Sequence, residues 1–277
     1  MRPGSPMFHA ATLDASPAMQ RAAGRVLVSA KQRGGRTVLD RLHQGGCAKA
    51  RMPNSNGFEA VLLNTAGGLT GGDRIDVEIE AADGCHATAA SQTAERVYRS
   101  LAGAATVRNR LRIGAGARVD WLPQETILFD GGRLDRRLDV EMAEDAALLA
   151  VEPLILGRVA MGEQVATGSL IDNWRVRRGG RLLHAEALRF SPVAGAAPAG
   201  FAGRLAAATL LYVARDAEER LEAARAALPE GVTGGVSAWG GRLVARILAK
   251  TGCALRAALI PLIRLFRAGD LPRVWSI

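Results

Sequence analysis

Asp73-Arg-Ile-Asp-Val-Glu-Ile-Glu80 decides the fold class, because it alternates strictly. Ile75, Val77 and Ile79 point to one side, and Asp76, Glu78 and Glu80 to the other. That period of two predicts a strand with one buried face and one wet face. Working outward, the same grammar recurs in RVLVSAKQ and RTVLDRLHQ around RGG, in FEAVLLN (58–64) and in CHATAASQT after the turn AADG. It continues in TVRNRLRI and ARVDWLP around GAG, and in RLDVEMA and ALLAVEPLILG around AED. SLIDNWRVRRGGRLLHAEALRF reads as a further hairpin through Gly179-Gly180. The 32 glycines and 4% aromatic content favour turns and short strands over long helices.

Two segments break this rhythm. DAEERLEAARAAL (216–228) predicts a helix with Asp216 as N-cap and Glu219 in a capping box. A second helix is expected from near Thr251 to Arg267. Leu255, Leu259, Leu262 and Phe266 share its apolar face, and Arg256, Arg264 and Arg267 another. No repeat of fixed period and no linker divides the chain. The expectation is a mainly β fold, one unit of many short strands (23–277) with about two helices in the C-terminal third, after a flexible tail over 1–22.

Composition narrows the functional classes. The formal net charge is +9, and 33 of the 36 basic residues are arginine. They are scattered, without the aromatic interleaving of a nucleic-acid platform, so an acidic protein partner fits this charge better. Cys47, Cys85 and Cys253 are odd in number and widely separated, which argues against a disulfide framework. The first residues carry no signal-peptide core, and Leu255–Phe266 is interrupted by Arg256, Pro261 and Arg264. A cytoplasmic protein with no membrane segment is expected.

Enzyme chemistry finds little support. GGLTGGD (67–73) lacks the Lys and Ser/Thr of a phosphate loop and places Asp73 where a phosphate would be repelled, so it reads as a tight turn. No GxSxG occurs, and His9, His43, His86 and His184 lack partners at metal-ligand spacing. Glu125, Asp130, Glu152 and Glu163 lie beside apolar or glycine-rich segments, and a pair of them in a cleft would suit a glycoside hydrolase. Four Trp and two Tyr make a poor sugar platform, and caps or arginine partners, such as Arg158 for Glu163, explain the same carboxylates.

Taken in order, LNTAGGLTGGDRIDVEI, SQTAERVYRS, DWLPQETILFDGGRL, EPLILGRVAMGE, GSLIDNWRVRRGGRLLHAEALR and LPRVW resemble the motif blocks of the UreD (UreH) family of urease accessory proteins, from about Gly24 to Trp275. The resemblance implies a mostly β scaffold that is not an enzyme. It implies UreF, the GTPase UreG and apo-urease as partners, UreE as nickel donor, and nickel in transit with no cofactor tightly bound. A conduit should hold its ion loosely, through scattered oxygen ligands. Asp73, Glu125, Asp130 and Glu163, beside the motif glycines, are the candidates to line it, and each reads equally well as a cap or salt link.

Overall fold

The computed structural model describes residues 20–158, 161–192, 200–267 and 269–276; most of the expected tail (1–19) lies outside them. The alternating segment forms β5 (Arg74–Ala81), paired in parallel between β1 (Ala23–Arg33) and β8 (Ala105–Ile113). Ile75, Val77 and Ile79 are buried as expected. The opposite face is drier than its alternation suggests. Glu78 is buried and meets Arg112 at 2.5 Å, and Glu80 meets Arg112 at 2.8 Å and Arg41 at 2.5 Å. Neighbouring strands bring arginines into register with these carboxylates, so an ion-pair lattice replaces the expected row of hydrated acids.

The chain shuttles between two sheets. β4 (Phe58–Asn64), β6 (His86–Ser91), β9 (Arg118–Leu122) and β12 (Ala147–Leu156) run parallel in the second sheet. β5, β8, β11 (Arg133–Met142) and β13 (Ser169–Arg178) run parallel in the first. The result is a stacked solenoid, whose rungs recur in space although the sequence shows no repeat of fixed period. At one end the sheets are joined by tight turns at 82–85, 114–117 and 143–146. Asp83 accepts from the Ala115 N–H (2.8 Å) and Asp145 from the Gly116 N–H (2.9 Å), binding each turn to the next. At the other end the connections are longer, unequal and rich in glycine, and they contain β7 (Glu95–Val97) and β10 (Thr126–Leu128).

Antiparallel strands close the stack. β2 (Arg36–Gly46) and β14 (Arg181–Phe190) edge the first sheet. Their hairpin turns, Gly34-Gly35 and Gly179-Gly180, have positive φ at both positions, as two-residue turns between twisted strands require. β3 (Ala48–Arg51) edges the second sheet at one side; β15 (Ala206–Val213), β17 (Arg242–Ala249) and β16 (Thr233–Trp239) extend it at the other.

One core lies between the sheets; a second lies between the second sheet and two helices, α1 (Leu221–Ala226) and α2 (Gly252–Phe266). Burial on both faces explains why β12 is apolar at every position but Glu152. The expected α2 is present, capped by the Thr251 hydroxyl, which accepts from the Ala254 N–H (3.2 Å). Leu255, Leu259, Leu262 and Phe266 pack on the sheet, so this face is core. Its arginine face is only partly solvated. Arg256 reaches Gln124 (2.7 Å) and Glu125 (3.1 Å), while Arg267 reaches Thr88 (2.8 Å) and the fully buried Asp120 (3.0 Å). Burial works against ionisation of Asp120, yet bonds from His86, Arg118 and Arg267 outweigh it and hold its pKa low. The helix expected over 216–228 shortens to α1, because Asp216 accepts from the Tyr212 hydroxyl (2.8 Å) and Arg220 (2.7 Å) and does not cap it. Among the described residues, no helix is long and apolar enough to cross a membrane.

Candidate functional site

The fold brings Asp73, Glu125, Asp130 and Glu163 to the long-loop end of the solenoid but not into one cluster. Asp73 is buried and accepts from the Ala22 and Thr70 N–H groups, both at 2.8 Å. Glu125 pairs with Arg256. Asp130 accepts from the Thr167 N–H (2.8 Å) and the Ala166 N–H (3.0 Å) and pairs with Arg99; the Thr167 bonds lead in lowering its pKa. Glu163 accepts from Arg158 Nε (3.0 Å) and a terminal nitrogen (2.9 Å), which lowers its pKa too. The carboxylates considered for sugar hydrolysis, Glu125, Asp130, Glu152 and Glu163, each pair with a different arginine. GGLTGGD is a turn, as expected. A Cβ on Gly71 would lie 1.9 Å from Ser100 Oγ and 2.2 Å from the Ala102 carbonyl oxygen, so only glycine fits.

The most unusual chemistry lies between the sheets. Arg136, Glu152 and Asp172 are all at least nine-tenths buried. One terminal nitrogen of Arg136 bonds Glu152 and the Thr126 hydroxyl (3.1 Å), and the other bonds Asp172 at 2.6 Å. The Trp121 indole N–H donates to Glu152 at 2.8 Å. Two carboxylates share one guanidinium, so the triad carries a surplus negative charge when both are ionised. Burial, only partly offset by Arg136, pushes Glu152 up to about 7. Arg136 Nε and Asp172 Oδ1 have no protein partner.

Arg136, Glu152 and Trp121 form part of the wall of a cavity of about 100 Å³. That volume has room for a few waters, each of which needs at least roughly 10–15 Å³. Asn64, Ser91, Glu95, Asn109 and Gln124 add polar groups to the wall. Leu62, Leu63, Asn64, Ser91 and Glu95 also border a second cavity of about 70 Å³, which reaches the exposed loop residues Gly67 and Thr93. Glu95 stands where the two meet. Burial raises its pKa, and the Asn64 amide, donating at 3.1 Å, pulls it back. On the far side of the triad, Glu152 is in register with Thr209, whose hydroxyl donates to Glu186 at 3.1 Å. Glu186 also meets Arg246 (3.1 Å) beside the buried His184. A polar line therefore threads an otherwise apolar core.

Glu152 reads in sequence as a hydrolytic carboxylate or an arginine partner, and it pairs with Arg136; Arg136, Asp172 and Glu95 are not singled out by the sequence reading. Strand parity carried the signal for two of these. Arg136 shares the inward face of Leu134, Leu138 and Val140, and Asp172 that of Leu170, Trp174 and Val176. A charge on the apolar parity of a strand marks a buried partner across the gap.

Chemically the line offers scattered oxygen donors and water space. Among the described residues, no group of three or more His, Cys, Asp or Glu could hold a metal ion.

Comparison with known proteins identifies what the chain as a whole is similar to. The family model described as UreD urease accessory protein matches residues 22–276. A protein named urease accessory protein UreD from Rhizobium etli is 52% identical over 264 residues, covering 93% of this chain and 96% of its own. A protein of that name from Chelativorans sp. is 50% identical, covering 98% and 100%, and one from Agrobacterium fabrum is 46% identical, covering 93% and 92%.

Proposed function

This chain belongs to the UreD urease accessory protein family, and from that premise we propose that it acts as a non-catalytic scaffold in urease maturation, conducting nickel between its two sheets. The partners of this reading are UreF and UreG in the accessory complex, UreE as donor and apo-urease as recipient, all in the cytoplasm. The single observation that carries it is the polar line from Glu95 through the Arg136–Glu152–Asp172 triad to Glu186, in a core where apolar contacts are the rule. Oxygen donors spread along water-filled space bind a divalent ion weakly enough to release it, whereas clustered thiolates or imidazoles would retain it. Asp73, Glu125, Asp130 and Glu163 serve this reading by bracing the long loops at the end where the cavities approach the surface.

The test is a plug. Asn109 is buried on β8 and lines the larger cavity. Asn109→Phe, co-expressed with the accessory partners and urease in limiting nickel, is expected to assemble normally but to leave urease largely nickel-free. Asn109→Asp, which keeps the cavity open and polar, is expected to activate. An assembled Asn109→Phe complex that activates urease at the wild-type rate would falsify the passage.

A further inference from the structure

Arg136 is the one cation placed between the two inner carboxylates. Its guanidinium spans the gap, touching Glu152 on β12 of the second sheet and Asp172 on β13 of the first. Remove it, and Glu152, Asp172 and the Thr126 hydroxyl remain as oxygen donors around a water-sized space, a set that divalent cations favour. We propose that Arg136 is a tethered counter-cation that competes with the passing ion for Glu152 and Asp172 and so keeps this pair from becoming a trap.

Three observations support the role. The planar fork reaches both carboxylates at once, which a single ammonium could not do. The guanidinium is covalently fixed beside its targets, so its effective concentration never falls, whatever the free concentration of competing ions. Arg136 Nε and Asp172 Oδ1 are both buried and unpartnered, so the triad has unused donor and acceptor capacity with which to exchange one contact for another. A doubly charged ion can take one carboxylate while Arg136 keeps the other, and the guanidinium recovers the first as the ion moves on. This inference rests on the passage reading and adds how the residence of the ion is kept short.

The experiment uses the full chain, purified with UreF if needed, and Ni²⁺ as the probe in equilibrium dialysis and thermal unfolding. Wild type is expected to hold nickel only weakly and to unfold at nearly the same temperature with or without it. Arg136→Met is expected to bind about one nickel ion per chain, at least about tenfold more tightly than wild type. It is also expected to unfold early in chelator and later with nickel. Adding Asp172→Asn to Arg136→Met should abolish both effects. Arg136→Lys covers the case in which Arg136→Met does not fold: keeping a charge but spanning only one carboxylate, it should show an intermediate affinity. Wild-type affinity and no nickel-dependent stabilisation in whichever of these variants folds overturns the proposal. If that happens while Asn109→Phe still blocks activation, only the counter-cation role fails. If Asn109→Phe activates normally, the passage itself fails.

Discussion

Glu152→Gln tests the electrostatics of the buried triad directly. In the unfolded chain this carboxyl titrates near 4.5, and burial pushes it up to about 7 in the folded protein. Between those values the folded state holds a proton that the unfolded state has lost. The contribution to stability is therefore complete below pH 4.5, declines as pH rises through the window, and is gone above pH 7. A separation of about 2.5 pH units at about 1.4 kcal/mol each amounts to about 3 kcal/mol. The amide mimics the protonated acid in shape and cannot titrate. Glu95 adds a slope of the same sign, but it is present in both proteins and cancels in the comparison. Urea unfolding of wild type and Glu152→Gln from pH 5 to pH 8 should thus diverge, the variant gaining about 2–3 kcal/mol relative to wild type by pH 8. Parallel profiles would refute the reasoning, because they would mean that Arg136 keeps Glu152 ionised throughout and that burial does not dominate.

Other consequences concern the parts that hold the two sheets and the long loops in shape. Asp73→Ala strips the acceptor from two backbone N–H groups and should cost about 2 kcal/mol in urea unfolding, with Asp73→Asn recovering part of it. Trp275 is fully buried, donates to the Leu122 carbonyl at 2.9 Å and lies under the Arg256 guanidinium. Trp275→Ala should therefore cost about 3–5 kcal/mol, and Trp275→Phe markedly less. Gly71→Ala forces a Cβ into Ser100 and the Ala102 carbonyl; a loss of about 3 kcal/mol or more, seen as a lowered denaturation midpoint, is expected. Arg256→Met should speed amide exchange over 252–266, since Glu125 and Gln124 then lose their hold on α2.

Strands and hairpins were legible because burial on one face imprints a period of two on the sequence, and the two-glycine turns mark the reversals. The solenoid was not legible. Its rungs are set by register, Ile75 against Val107, Val107 against Arg136 and Arg136 against Asp172, while the loops between rungs differ in length, so the repeat has no fixed period. The α1 boundary failed for a local reason: Asp216, an apt N-cap by type, finds Tyr212 and Arg220 first. The four carboxylates beside the glycines are conspicuous in sequence because they sit in loops, where their work is to accept backbone and arginine N–H groups. The inner acids hide inside strands: parity marks Asp172 on β13, whereas β12 is buried on both faces and gives Glu152 no such mark.

On the outer face of the first sheet, the acids of β5 lie opposite arginines of the adjoining strands, Asp76 opposite Arg25 and Arg108 and Glu80 opposite Arg112, and such a strand is stabilised where nearby strands offer cations. Arg25, Arg41 and Arg112 do so for Glu78 and Glu80, and their forks reach across strands in a way one ammonium would not. Inside the gap, among the described residues, that bridging acts on Glu152 and Asp172 through Arg136. Outside, an ion pair lost to screening changes little. Inside, a carboxylate that Arg136 releases is left buried without a counter-charge and must find another cation or a proton, so breaking this contact costs far more than breaking an outer pair.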